Sequence, residues 1–456
     1  MVLVTGFLIS SMFIDIATLI IAKSGRFLKT LYSLYIFTPL RLLYSSDKIF
    51  FRDIKKMYKK LMKVSFFYRY SRLLVPPPEV PALKKDYSVF VIIPAYNEEE
   101  NIGACIRSAF EQTKRPEKVI VIDDCSTDRT AEICMEAKKK YRDLVVIRQR
   151  ENRGKAHNIS YVINNFFLGD VTLVLDADTI LSGNYIEEIA KPFDNERVMI
   201  STGISTPLES SNIFGKIIFR GSVFQYLFFC FRKEAQALRN AVSVICGDSS
   251  AYRTSFLKKL GGFPEGTVTE DMDLTWEALE MGHLISFQGK AFAKSRDPTT
   301  FKGHWKQMYR WYSGGFQCIY KHGRKLLKAK LLLFTSLLPT YFDILVYSPL
   351  FLLGPVLFFF FPTVIIWFYI LDFLFTLLAL LYVDWRMVTN IPEIYAIKFI
   401  WSSVWLFAAL KTTFEYLGGK RVWRSRWNRD GLYAKSSGHG FVPTPTLNRH
   451  VSEKGI

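Results

Sequence analysis

Four short stretches carry acids, amides and a lysine at spacings able to hold a charged ligand. They are Pro94-Ala95-Tyr96-Asn97-Glu98, Asp123-Asp124-Cys125-Ser126-Thr127-Asp128, Asn152-Arg153-Gly154-Lys155 and Asp176-Ala177-Asp178. Each alone has an ordinary reading: Asp124-x-x-x-Asp128 near a helix start is most often an N-cap, and Asp-Ala-Asp is most often a turn. Their conjunction says more. Two carboxylates one residue apart, after a buried strand, present oxygen ligands to a hard divalent cation. That cation would bridge a diphosphate, with Lys155 adding a point charge.

The elements that must position these residues are legible as apolar runs. Val89–Ile93, Val119–Ile122, Leu144–Ile147 and Val171–Leu175 are short and β-branched, the pattern of strands buried on both faces of a mostly parallel sheet. Amphipathic stretches fall between them at Glu98–Gln112, Asp128–Tyr141 and Lys155–Phe167. A βαβαβ order implies an α/β domain with ligands at the carboxyl ends of the strands, where all four polar stretches stand.

The rest of the chain divides around this domain. Its 60 Lys+Arg and 41 Asp+Glu leave +19, and half of its 456 residues are hydrophobic, which excludes a disordered chain. The six cysteines contain no CxxC pair and read as buried thiols in a reducing compartment. Residues 1–22 hold no Lys or Arg and only one acid, Asp15; about 33 Å of helix is enough to span a bilayer. Residues 23–85 then carry 15 Lys+Arg against three acids, a basic juxtamembrane or interfacial segment expected on the cytoplasmic side. A soluble domain is expected over 86–300, and an amphipathic interface helix with eight Lys+Arg and no acid over 302–330. Two or three spans are expected within 331–417, near 331–352, 356–383 and 394–417, before a basic, then flexible tail at 418–456. The basic residues flank apolar spans and match no recognition motif, so nucleic acid is excluded as a partner. An integral protein of the cell membrane, in contact with lipids and with its soluble domain cytoplasmic, is the expectation.

Further along stand Thr269-Glu270-Asp271 and Gln307-Met308-Tyr309-Arg310-Trp311. With the four earlier stretches, in this order, the chain resembles a membrane-bound family 2 glycosyltransferase of the cellulose, chitin, hyaluronan and poly-N-acetylglucosamine synthase type. The resemblance covers roughly 86–325 and implies a GT-A nucleotide-sugar fold, flanked by transmembrane helices. It implies a UDP-linked donor bound by Pro94, Ala95, Tyr96, Glu98, Asp123, Asp124, Lys155, Asp176, Ala177, Asp178 and Arg310. Tyr96 and Glu98 would border the uridine, Asp124 would meet the uracil edge, and Asp178, with Asp176, would hold Mg²⁺ or Mn²⁺. Asp271 is implied as the general base of an inverting displacement. Gly247, Glu270, Gln307 and Trp311 would face the acceptor. His157, His283 and His304 read as packing or capping residues, and Asp273 as an organiser of the Thr-Glu-Asp loop.

The sequence departs from the polymerising pattern at Ile245-Cys246-Gly247-Asp248, where many members carry an aromatic residue and then Cys-Gly-Ser. Two readings follow: extension of a polysaccharide, or transfer of one sugar to a lipid or polyprenyl-phosphate acceptor.

Overall fold

The computed structural model describes residues 85–209, 213–238, 240–326, 337 and 346–420. The expected first span, nearly all of the basic segment after it, most of 331–345 and the tail from 421 lie outside these.

Four strands appear where the apolar runs place them: β1 (Val89–Ala95), β2 (Lys118–Asp123), β3 (Leu144–Arg148) and β4 (Val171–Leu175). Three helices join them, α1 (Ile102–Phe110), α2 (Thr130–Lys140) and α3 (Lys155–Asn165). After β5 (Thr179–Leu181) come α4 (Tyr185–Ala190), β6 (Val198–Pro207), a long α5 (Ile213–Leu238), β7 (Ser249–Arg253), α6 (Thr254–Leu260), α7 (Glu270–Glu280) and β8 (Leu284–Ser295). The eight strands form one sheet in the order β3-β2-β1-β4-β7-β6-β8-β5. The β3-β2-β1-β4 block and the β6–β8 pair are parallel, whereas β7 runs antiparallel to β4 and β6, and β5 to β8.

Side chains alternate along each strand, so both faces of the sheet are buried. Val89, Val91 and Ile93 pack with Ile102 and Ile106 of α1 and Tyr185 and Ile189 of α4. Phe90 and Ile92 face the other way, toward Ile159 and Ile163 of α3, Leu257 of α6 and Trp276 of α7. The fold is an α/β sandwich with a mixed, mostly parallel sheet.

Beyond the sheet lie α8 (Phe301–Leu326), α9 (Ser348–Leu357), α10 (Pro362–Asp384) and α11 (Ile391–Leu417). Pro349 and Pro362 sit in the first turns of α9 and α10, where a missing N–H costs no helical hydrogen bond. α10 begins at Pro362, later than the expected 356, and most of the expected 331–352 span lies outside the described residues. Among the described residues one helical stretch, Arg386–Leu417, is long and apolar enough to cross a membrane by length and composition. It contains the third expected candidate, 394–417. α8 lies against α11: Tyr312 meets Trp401 and Trp405, and the Trp401 indole donates to His304 Nε2 at 2.9 Å.

Candidate active site

The carboxyl ends of β1, β2 and β4 open at the same edge of the sheet, and the antiparallel β7 brings its beginning there too. Leu175 is in register with Ser249, and the Asp176 N–H donates to the Asp248 carbonyl at 2.9 Å. Gly247 and Asp248 therefore stand beside the Asp-Ala-Asp turn.

Asp124 shapes the floor. Its two carboxylate oxygens accept the backbone N–H groups of Arg153 (2.9 Å) and Gly154 (2.8 Å), which fixes the entry to α3. Gly154 has φ 88°, a left-handed conformation that glycine adopts without a Cβ penalty. Burial raises the Asp124 pKa, although the Arg153 N–H, Asn158 and the Gly154 N–H all favour the anion. Asp123 is fully buried, accepts the Ser126 N–H at 3.1 Å and pairs with Arg148 at 3.3 Å. Asp128 takes the capping role: it accepts the N–H groups of Thr130 and Glu99. Glu98 is buried and holds the Asn101 side chain at 2.7 Å, while its own N–H donates to the Thr130 hydroxyl. Tyr96 and Pro94 stand half-buried at the end of β1, with Ala95 beneath them in the core.

Lys155, the first residue of α3, is the hub. Its ammonium donates to the Gly247 carbonyl at 2.8 Å and pairs with Asp176 at 2.7 Å and Glu270 at 3.3 Å. Burial opposes the charge on Lys155, but Asp176 and Glu270 outweigh it and hold the pKa above the ordinary lysine value. Asp176 is nevertheless raised: burial acts first, and Asp248 and Glu270 add to it against the Lys155 charge. One cation is shared among several acids, so the lysine keeps its proton while the acids compete for its charge. Glu270 gains most from the sharing, since Lys155 and Arg310 pull it below the usual glutamate range in spite of burial.

Asp271 sits in the first turn of α7 beside Glu270. Burial and the Glu270 charge raise its pKa to about 6, against Lys155 and Arg310. A Cβ at Gly247 would collide with the Asp271 carboxylate, so only glycine lets the backbone approach that closely. A base of this strength is matched to proton transfer near neutral pH.

α8 supplies the remaining wall. Arg310 lies within electrostatic range of Glu270 and Asp271, and Gln307 lies near Asp297 and favours its charged form. Trp311 meets the Tyr226 ring edge-on, with centroids 6.1 Å apart. Asp178 is half-buried at the turn and Ala177 is buried. The donor set suits a hard divalent cation: Asp178 and Asp176 offer carboxylate oxygens. Asp176 is engaged by Lys155, and among the described residues no group of three or more His, Cys, Asp or Glu is assembled to hold a metal. Any remaining ligands would have to come from substrate oxygens and water.

A family model described as "Glycosyl transferase family 2" matches residues 90–261. The chain carries a family 2 glycosyltransferase domain. Poly-beta-1,6-N-acetyl-D-glucosamine synthases are among its relatives. That of Staphylococcus epidermidis is 28% identical over 57% of this chain and 62% of its own length, just under two thirds. That of Staphylococcus aureus strain COL is 26% identical over 62% of this chain and 68% of its own. A mannosyltransferase of Pyrobaculum calidifontis, solved with GDP-Man and Mn²⁺, shares the fold with a TM-score of 0.53 at 19% identity, over 77% of this chain and 94% of that one.

The structure brings the four strand-end stretches, Gly247, the Thr-Glu-Asp turn and α8 together at the carboxyl edge of the sheet. Sequence reasoning missed Tyr226, Lys233, Asp297 and His322. Lys233 Nζ lies 3.0 Å from Cys246 Sγ, behind the Gly247 loop. His322 and Lys321 clamp Asp273, at 2.8 and 2.7 Å. His157 lies 3.4 Å from Glu265, His283 packs on Phe256, and His304 accepts from Trp401. The long-range pairs have no local signal; their partners are 13 to 71 residues apart.

Proposed function

We propose that this chain is an inverting, metal-assisted transferase that passes a hexosyl or N-acetylhexosaminyl group from a UDP-linked donor to a growing polysaccharide at the membrane. The observation that carries the reading is the joined set Asp176–Lys155–Glu270 beside Asp271. It supports the reading because an ammonium suited to a diphosphate stands beside a carboxylate of pKa about 6.

Asp271 accepts the proton of the acceptor hydroxyl as that oxygen bonds to the anomeric carbon. The bond from that carbon to the UDP oxygen breaks on the opposite side, so configuration inverts in one displacement. Lys155 and Arg310 stabilise the charge that develops on the departing diphosphate. A bound Mg²⁺ or Mn²⁺, held by Asp178 with Asp176, would supply further positive charge there. Trp311 offers a flat apolar face to an acceptor ring, with Gln307 and Glu270 as hydrogen-bond partners, and Asp123, Asp124, Tyr96 and Glu98 border the nucleoside.

The membrane setting is supported by side chains that α10 and α11 turn outward. Trp367, Phe373, Leu374, Phe399, Phe407 and Phe414 are all exposed, and lipid is the solvent that suits such a surface. The +12 segment at 23–85 supports a cytoplasmic domain. The named activity of the relatives supports polymer extension over single transfer.

The test is incubation of membranes containing the full chain with a panel of radiolabelled nucleotide sugars, followed by sizing of the product. A polymer from a UDP-sugar is expected. Label transferred only to single lipid-linked sugars would reject polymer extension, and no transfer from any UDP-sugar would reject the donor.

A further inference from the structure

The loop from β8 into α8 contains a buried acid that the reaction above does not use. Asp297 is 9% exposed and stands two residues beyond the end of β8. Ser295 is in register with Thr179, so the chain leaves the sheet beside the turn that bears Asp178. The Tyr226 hydroxyl of α5 donates to Asp297 Oδ1 at 2.8 Å, and the Gln307 side chain of α8 lies near enough to favour the same carboxylate's charged form. The Tyr226 ring in turn meets Trp311 at 73°. The first turn of α8 is tightly seated on this loop, since a Cβ at Gly303 would crowd Pro298, and the Gly303 N–H donates to the Thr300 hydroxyl at 3.1 Å.

We propose that Asp297 and Tyr226 are positioning residues that hold the Gln307–Trp311 face of α8 in register with the Asp176–Asp178 turn. A single buried carboxylate at the end of a sheet strand holds Tyr226 of α5, whose ring meets Trp311 of α8. Displacing that face moves the acceptor platform relative to the donor without touching the nucleotide pocket. A shift of this kind lowers transfer more than it lowers donor affinity. Burial, with Asp248 adding to it, raises the Asp297 pKa to about 6, and the Tyr226 hydrogen bond, with Gln307 nearby, offsets part of that rise. The acid is kept in the fold at an electrostatic cost, and its hydrogen-bond partner is the side chain whose ring meets Trp311.

The inference rests on the transferase reading, and one of its two tests does not require turnover. Asp297→Asn, Tyr226→Phe and the double variant would be compared in the full chain. Each single change is expected to lower transfer from UDP-N-acetylglucosamine about tenfold while the Kd for UDP with Mn²⁺ stays within about threefold. The double variant is expected to be no worse than the poorer single one, because both remove one interaction. Hydrogen–deuterium exchange over residues 301–312 should rise in both single variants, and this arm reads the brace even with no substrate present. The proposal is overturned by parent-like exchange in both single variants, by losses that multiply in the double variant, or by UDP affinity falling in step with transfer. A parent protein that neither binds UDP nor transfers sugar would defeat the functional reading alone, leaving the exchange measurement to decide the brace.

Discussion

Asp271 and Asp273 stand two residues apart in the first turn of one helix, yet they belong to different regions of the molecule. Asp271 faces the cleft, where burial and Glu270 raise its pKa to about 6. Asp273 faces α8 and is fully buried; burial alone would raise it, but His322 and Lys321 hydrogen-bond it and hold its pKa below the usual aspartate value. His322 also reaches Glu280 at 2.9 Å, and Thr267 donates to Asp273 at 3.0 Å. The same kind of side chain is raised toward neutrality on one face and locked into an ion-paired clamp on the other. What separates them is the number of donors around each carboxylate.

The largest expected effect comes from the cleft side. Asp271→Asn should lower transfer by about 10²–10⁴-fold while UDP affinity hardly changes. A variant that folds, binds UDP and transfers sugar at the parent rate would remove Asp271 from the chemistry and make the two acids alike.

On the clamp side the effect should appear in stability. Asp273→Ala leaves His322 and Lys321 without their shared partner. Loss of a buried pair costs about 3–5 kcal/mol, and the lower end applies here because Lys321 is 40% exposed and screened. Thermal or denaturant unfolding of the purified protein should detect it. An unchanged Tm would mean that α7 and α8 are held together by other contacts.

Donor binding should respond more moderately. Asp178→Asn is expected to weaken UDP binding in the presence of Mn²⁺ by about tenfold, ~1.4 kcal/mol, and EDTA should reduce turnover along with it. Activity and UDP binding that survive EDTA undiminished would remove the metal from Asp178.

The smallest effect is in pH dependence, and its sign differs between the two acids. Asp271 must be ionised to act, so kcat/KM should rise with pH through about 6 and level above it. Asp273 has a depressed pKa, so its contribution to stability is present above the ordinary aspartate value of about 3.9 and is lost as pH falls through the folded value. A rate profile flat from pH 5 to 8 would contradict the first expectation.

Much of this arrangement was legible before any coordinates. β1 to β4 appear within two residues of the apolar runs at either end, because strands buried on both faces leave an unbroken hydrophobic signature. α8 was legible from its basic, acid-free periodicity. The later half of the sheet was not, since β7 reads Ser-Ser-Ala-Tyr-Arg and carries no apolar run. α5 was missed because its aromatic residues spread around the helix rather than along one stripe. The motif residues could be named from their order, but the clamp on Asp273 and the brace at Asp297 rest on contacts formed only by folding, at separations of 49 and 71 residues.

The central claim is a single displacement driven by one base, and the anomeric configuration of the product tests it most directly. Nuclear magnetic resonance of the polymer or oligomer made from an α-linked UDP-sugar should show a β-glycosidic bond. A product that keeps the α configuration would contradict the account, because one displacement with Asp271 as base has no route to retention.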